Sequence, residues 1–158
     1  MESEPAKGSI FYFTIPDSEN RNEKLNLTQK NVLIMEKNYA GKTILIAEDE
    51  QSNFYFLKIL FNRMNIRVLL AKDGNEAVSL CESDSSIDLV LMDIKMPFLN
   101  GFEATRLIKI KRPDLPIIAQ TAYAMSSDKE EATNAGCDGY LSKPLKINQI
   151  KEVLEKYL

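Results

Sequence analysis

Residues 88–97 read DLVLMDIKMP, an apolar run that delivers an acid, Asp93, to the mouth of a polar loop containing Pro97. A continuous apolar run of this length suits a strand buried on both faces, as in a parallel sheet, rather than a half-exposed strand with alternating polarity. Taken alone, Asp93 reads equally as a helix cap, a turn residue, a metal ligand or a nucleophile. The neighbouring segments decide between these.

Working outward, the same grammar repeats. TILIA (43–47) is apolar and β-branched and stops at the acidic EDE (48–50). Residues 51–64 carry Phe54, Leu57, Ile59, Leu60, Phe61 and Met64 at helical spacing, and IRVLLA (66–71) reads as a second strand. DGNEAVSLCES begins with Asp73 three residues before Glu76, a variant of the capping box that opens a helix. IDLVLM (87–92) is the third strand, GFEATRLIKIKR a helix, LPIIAQTA (115–122) the fourth strand, and 124–135 a polar helix. DGYLS (138–142) is a short fifth strand. A last helix over 146–157 places Ile147, Ile150, Leu154 and Tyr157 on one face. Five strand-then-helix units with right-handed crossovers predict an α/β fold: a doubly wound, flavodoxin-like parallel sheet in the order 2-1-3-4-5, flanked by five helices.

Residues 1–42 follow a different pattern. GSIFYFTIP (8–16) alternates as a strand ending at Pro16, while 17–31 are polar and linker-like before the small apolar patch VLIM (32–35). A lone strand of this kind is not stable by itself, which makes it read as the tail of a larger upstream domain.

Bulk composition excludes several classes of function. With 44% hydrophobic and 27% charged residues and a net charge of -3, the chain is globular and lacks the basic excess of nucleic-acid binders. No apolar run approaches the roughly 20 residues that span a bilayer, and the acidic N-terminus with its short apolar stretch is not a signal peptide. The two cysteines, Cys81 and Cys137, form no motif and suit a reducing, cytosolic compartment. The chain has no histidine, which removes Ser-His catalysis, histidine metal sites and any phosphohistidine role of its own.

In such a sheet the carboxyl ends of the strands form the functional edge. Strand one ends in Glu48 and Asp49, strand three in Asp93, strand four in Thr121, and strand five is followed by Lys143 and Pro144. Each has an ordinary alternative: acids after a strand cap the next helix, an Asp before a Met-Pro loop makes a turn, Thr121 ends its strand, and Lys143 is solvated. Met92 and Phe102 read as core. The convergence of acid pair, acid, hydroxyl and ammonium on one edge favours a site. Three clustered carboxylates call for a cation among them, and a hard oxygen set suits Mg²⁺.

The pieces ILIAEDE, LVLMDIKMPFLNG, AQTAYA and GCDGYLSKPL, in this order and spacing, resemble a response-regulator receiver domain across residues 43–158. The resemblance implies that Asp93 is the phosphoacceptor, attacking phosphorus carried on a partner's phosphohistidine. It implies that Mg²⁺ is held by Asp49, Asp93, the backbone carbonyl of Lys95 and, through water, Glu48, a position where the family more often has Asp. Lys143 and Thr121 would meet the phosphoryl oxygens, with Ala122 leaving room and Pro144 matching a position where a cis peptide is usual. Thr121 and Tyr140 match the switch pair, coupled to the face of the fourth helix, fifth strand and fifth helix. Lys95 and Tyr123 match positions that tune dephosphorylation, here toward slow loss.

Upstream, ESEPAKGSIFYFTIP resembles the last strand of a histidine-kinase ATP-binding domain. The implied organisation is a kinase remnant over 1–16, a linker over 17–42 and a receiver over 43–158, from a hybrid sensor histidine kinase. The receiver would be cytoplasmic and the parent membrane-anchored. The chain lacks the kinase's ATP motifs, so it is not expected to act as an ATP-dependent kinase itself. Expected partners are a kinase dimerisation domain bearing phosphohistidine or a histidine phosphotransfer protein, with no nucleic acid and no membrane contact. A haloacid-dehalogenase-type phosphatase fits poorly, since that chemistry needs a second acid where Lys95 stands. A phosphorylation-independent docking module conflicts with a fully equipped site. A DNA-binding regulator is not expected either, because the chain ends at Leu158, directly after the last helix.

Overall fold

A computed structural model describes residues 2–4, 8–10, 37–122 and 126–158. The chain forms two compact units, Met1–Glu36 and Lys37–Leu158. In the first, β1 (Glu2–Glu4) pairs antiparallel with β2 (Gly8–Ile10). The expected strand over 8–16 is therefore described only to Ile10, and its partner ESE, with two acids in three residues, has no sequence signature of a strand.

The second unit alternates strand and helix: β3 (Thr43–Ala47), α1 (Gln51–Asn62), β4 (Arg67–Ala71), α2 (Gly74–Ser83), β5 (Leu89–Asp93), α3 (Gly101–Lys111), β6 (Ile117–Thr121), α4 (Ser126–Ala135), β7 (Gly139–Ser142) and α5 (Ile147–Tyr157). The sheet is parallel in the order β4-β3-β5-β6-β7, the predicted 2-1-3-4-5. The three central strands are buried at every position. That is why TILIA, LVLMD and IIAQT carry no solvent-facing alternation.

Alternate residues divide the core in two. Leu45, Ala47, Val90, Met92 and Ile117 pack on Ala77 and Cys81 of α2 and Ala104 and Ile108 of α3, while Ala119 meets Phe102 of α3 and the alanines of α4. Ile44, Ile46, Leu91 and Ile118 face the opposite way, toward buried Leu57, Leu60 and Phe61 of α1 and Ile150 and Leu154 of α5. At Gly139 on the edge strand a Cβ would crowd Ile118 Cδ1 at 3.1 Å and make ordinary contact with Tyr157 of α5 at 3.5 Å.

Local signals account for the helix starts. The Asp73 side chain accepts from Glu76 N at 2.9 Å, and Asn100 accepts from Glu103 N at 3.0 Å. Ile59 departs from its expected place in the core face of α1 and is 57% exposed, because α1 turns Leu57, Leu60 and Phe61 inward instead. Tyr39, ahead of the first core strand, is buried and its N–H donates to Met64 O at 3.0 Å.

Candidate functional site

β3 and β5 are neighbours at the point where strand order reverses, so their carboxyl ends open onto one crevice. Glu48 follows Ala47 and continues the alternation of Ile44 and Ile46, which turns it toward α1; Asp93 is the last residue of β5. Both are buried. Lys143, just past β7, reaches across the crevice. Its Nζ donates to Glu48 Oε2 at 2.8 Å, to Glu48 Oε1 at 3.1 Å and to Asp93 Oδ2 at 2.6 Å. Lys143 is tied to the sheet through its own N–H, which donates to Thr121 O at 2.7 Å, and the Lys143–Pro144 peptide is cis.

Further donors complete the acids. Asn53 Nδ2, from the first turn of α1, donates to Glu48 Oε1 at 3.0 Å, and Lys95 N donates to Asp93 Oδ1 at 3.1 Å. Burial pushes the Glu48 carboxyl up, and Lys143 and Asn53 bring it back only partway while Asp93 adds to the rise. For Lys143, burial works to lower its pKa, but hydrogen bonds to Asp93 and Glu48 outweigh it and hold the ammonium above its ordinary range. The site is therefore rich in negative charge at positions water reaches poorly. One carboxylate oxygen from each of Glu48, Asp49 and Asp93 lies within 4.8 Å of the others, with Asp49 exposed at the rim. An all-oxygen cluster with an open side fits a hard divalent cation.

The loop from Ile94 to Asn100 is fixed by backbone contact at both ends. A Cβ on Gly101 would sit 2.1 Å from Asp93 O, and one on Gly74 would sit 2.3 Å from Leu99 O. Gly101 N donates to Ile94 O at 3.0 Å and Gly74 N to Leu99 O at 3.1 Å. Two glycines thus let the loop close tightly over the end of β5. Within it, Phe98 takes the left-handed region (φ 64) and is 89% exposed.

Of the residues singled out from sequence, Glu48, Asp93 and Lys143 meet directly, and an Asp49 carboxylate oxygen lies within 4.8 Å of those of the two other acids. Lys95 contributes its N–H to Asp93, and Thr121 is buried at the end of β6, joined through its carbonyl to Lys143. Tyr140 lies on the edge strand, 42% exposed, with Lys129 Nζ 5.1 Å from its ring centre. Tyr123 lies outside the described residues. Met92 and Phe102 are core, as expected. Asn53, Gly74, Gly101 and the buried Gln120 were not singled out. Asn53 and the glycines carry no signal that spacing alone reveals. Gln120 does, as a polar residue inside an otherwise apolar strand.

Residues 44–155 match the response regulator receiver domain family. The chain belongs to that family. As a receiver domain it is a component of two-component signalling. It is 33% identical over 119 residues to the polar-differentiation response regulator DivK of Brucella ovis, covering 74% of this chain and 96% of that protein. Among solved structures it is similar to the receiver domain of the sensor histidine kinase PA1611 from Pseudomonas aeruginosa PAO1, which holds a magnesium ion coordinated in its active site cleft. That receiver is 36% identical, with TM-score 0.69, covering 75% of this chain and 98% of that one. A third similarity is to the Saccharomyces cerevisiae co-crystal structure of the histidine phosphotransfer signaling protein Ypd1 with the receiver domain of its downstream response regulator Ssk1. It has 27% identity and TM-score 0.71, covering 77% of this receiver's chain and 91% of that one. Among the described residues no helix is long and apolar enough to cross a membrane.

Proposed function

We propose that this receiver accepts a phosphoryl group on Asp93 from a partner's phosphohistidine. The observation that carries the reading is the single ammonium of Lys143, bonded at once to buried Asp93 and buried Glu48. In the transfer, a carboxylate oxygen of Asp93 forms the new O–P bond as the N–P bond of the donor imidazole breaks, and the imidazole nitrogen leaves with the electron pair. Asp93 is held for this by the rigid end of β5 and by Lys95 N–H. Lys143 is placed to neutralise a phosphoryl oxygen as a compact point charge, and Thr121 to donate to another. Asp49, Asp93 and the Lys95 carbonyl, with Glu48 behind them, are the groups that would hold Mg²⁺. A bound Mg²⁺ supplies positive charge for the phosphoryl oxygens.

Phosphorylation then draws Thr121 toward the new group and lets Tyr140 turn inward, altering the surface of α4, β7 and α5. Tyr140 stands outward in the present structure, which suits the unphosphorylated side of this exchange. Lys95 and Tyr123 are assigned to tuning loss of the phosphate. The donor is a histidine-kinase phosphohistidine domain or a histidine phosphotransfer protein. Exposed Tyr55, Phe56 and Ile59 on α1, the helix that starts beside the acids, support docking of such a protein there. We further assign residues 1–16 to the remnant of a kinase ATP-binding domain, 17–42 to a linker and 43–158 to the cytoplasmic receiver of a hybrid histidine kinase. The similarity to the PA1611 receiver supports this context.

Incubation with acetyl phosphate and Mg²⁺, followed by intact mass, tests the transfer. One acid-labile phosphoryl adduct is expected, absent in Asp93→Asn and absent when EDTA is present from the start. A wild-type protein that stays unmodified across several small donors overturns the reading. Transfer of label from ATP to Asp93 in the full-length parent tests the kinase context.

A further inference from the structure

A buried amide normally finds partners, because an unmade hydrogen bond leaves its desolvation uncompensated. Among the described residues three buried side-chain atoms have none: Gln120 Nε2, Gln120 Oε1 and Gln149 Oε1. Gln120 has no solvent exposure at all, so neither end of its amide reaches bulk water. Its main chain is conventionally used, with the carbonyl accepting from Ile94 N at 3.1 Å. The shortfall belongs to the side chain alone.

The register locates that side chain. Gln120 is the partner of Asp93 on one side and of Leu141 on the other, and register partners in a parallel sheet share a face. Extending the pairing of Ala47 with Met92 by one residue brings Glu48 level with Asp93. Glu48, Asp93, Gln120 and Leu141 therefore form one row across four strands. The amide lies one strand from the reactive carboxylate and immediately before Thr121. An apolar side chain would fill the same space without the desolvation penalty, as Ile118 does two residues earlier.

We propose that Gln120 is a positioning residue for the phosphorylated receiver: its amide is unpaired while Asp93 is free and gains hydrogen-bond partners when Asp93 carries a phosphoryl group. The inference rests on the phosphoacceptor reading of Asp93. A group unpaired in one state and paired in the other raises the free energy of the first state alone, and only such a difference shifts an equilibrium between them. One amide of this kind corresponds to about a tenfold bias toward the phosphorylated state.

Gln120→Met removes the amide while keeping an unbranched side chain of similar volume. Two measurements are made on the full chain, wild type and variant. The first is urea unfolding without metal or donor, and the second is the phosphorylated-to-free ratio at limiting acetyl phosphate with Mg²⁺, read by intact mass. The expected result is a raised urea midpoint together with a phosphorylated ratio about tenfold lower. A lowered midpoint overturns the inference, since the amide would then be paired already in the free state. A raised midpoint with an unchanged phosphorylated ratio also overturns it, leaving Gln120 a packing residue. Gln120→Leu is the second variant; failure of both to fold overturns the inference as well. Absence of any adduct on wild type falls on the phosphoacceptor reading itself, and this inference falls with it. An adduct on wild type with no change in the variant isolates the failure to Gln120.

Discussion

The two ends of the sheet both carry acids and bases, yet they are put together in opposite ways. At the amino end Asp88 and Asp138 are each met by their own donors. Asp88 accepts from Lys42 Nζ at 3.0 Å and from Thr43 N at 2.8 Å, and Asp138 accepts from Lys109 Nζ and Ile117 N, both at 2.8 Å. Arg112 donates to the carbonyls of Cys81, Asp84, Ser85 and Ile87, stitching α2 and its following loop to the end of α3. At the carboxyl end two buried carboxylates share one ammonium, and a third acid waits at the rim. The amino end is finished; the carboxyl end carries negative charge that invites further cations. The difference separates groups that hold the fold from groups that act.

Substitutions at the two ends should separate in kind as well as size. Asp93→Asn is expected to remove the phosphoryl adduct completely while the protein still unfolds cooperatively in urea. Next, Lys143→Met should slow phosphate acceptance about 100-fold or more, measured by the time course of the adduct. In the same protein without metal, stability should fall by about 3 kcal/mol, because Glu48 and Asp93 stay buried without their counter-charge. Gly101→Ala should lower stability by about 1–3 kcal/mol and slow acceptance too, since the Cβ has to displace the Asp93 carbonyl. Asp88→Ala at the opposite end should lower stability by about 1–2 kcal/mol and leave the time course of phosphorylation within twofold. A large kinetic effect there would break the division between the ends.

The smallest expected effect concerns Cys81, whose carbonyl Arg112 holds. Burial pushes its thiol up from 9.0 to about 11, against the opposing pull of Arg112. The folded state therefore keeps a proton that the unfolded chain releases, and the stability tied to that proton is lost as pH rises from about 9 toward 11. Relative to Cys81→Ala, the wild type should lose about 1 kcal/mol by pH 10 in urea titrations.

What the sequence made legible follows the same divide. The strands were readable because burial on both faces leaves no choice of residue, so ILIA, LVLM and PIIA stand out as unbroken apolar runs. Glu48, Asp93 and Lys143 stood out because chemistry interrupts those runs at their carboxyl ends. Asn53 did not, since its bond to Glu48 depends on how the first turn of α1 rises from the strand. Gly74 and Gly101 were hidden for a related reason: their role is to let in a backbone from elsewhere in the chain, which no local pattern encodes. Ile59 misled because a helix as apolar as α1 offers two candidate faces, and only its packing, with Phe54, Leu57, Leu60 and Phe61 inward, picks one. Glu2–Glu4 had no signal, being recruited as a strand by pairing with Gly8–Ile10.

The glycine posts on either side of the Ile94–Asn100 loop have a consequence for tolerance to change. Positions 74 and 101 face backbone atoms that any side chain would have to displace, whereas Phe98 projects into solvent. In a saturation library selected only for folded protein, the two posts should strongly favour glycine, while position 98, at φ 64, accepts most residues other than proline and the β-branched types. A loop built this way can vary its outward side chain from one protein to the next without moving the carboxylate beneath it.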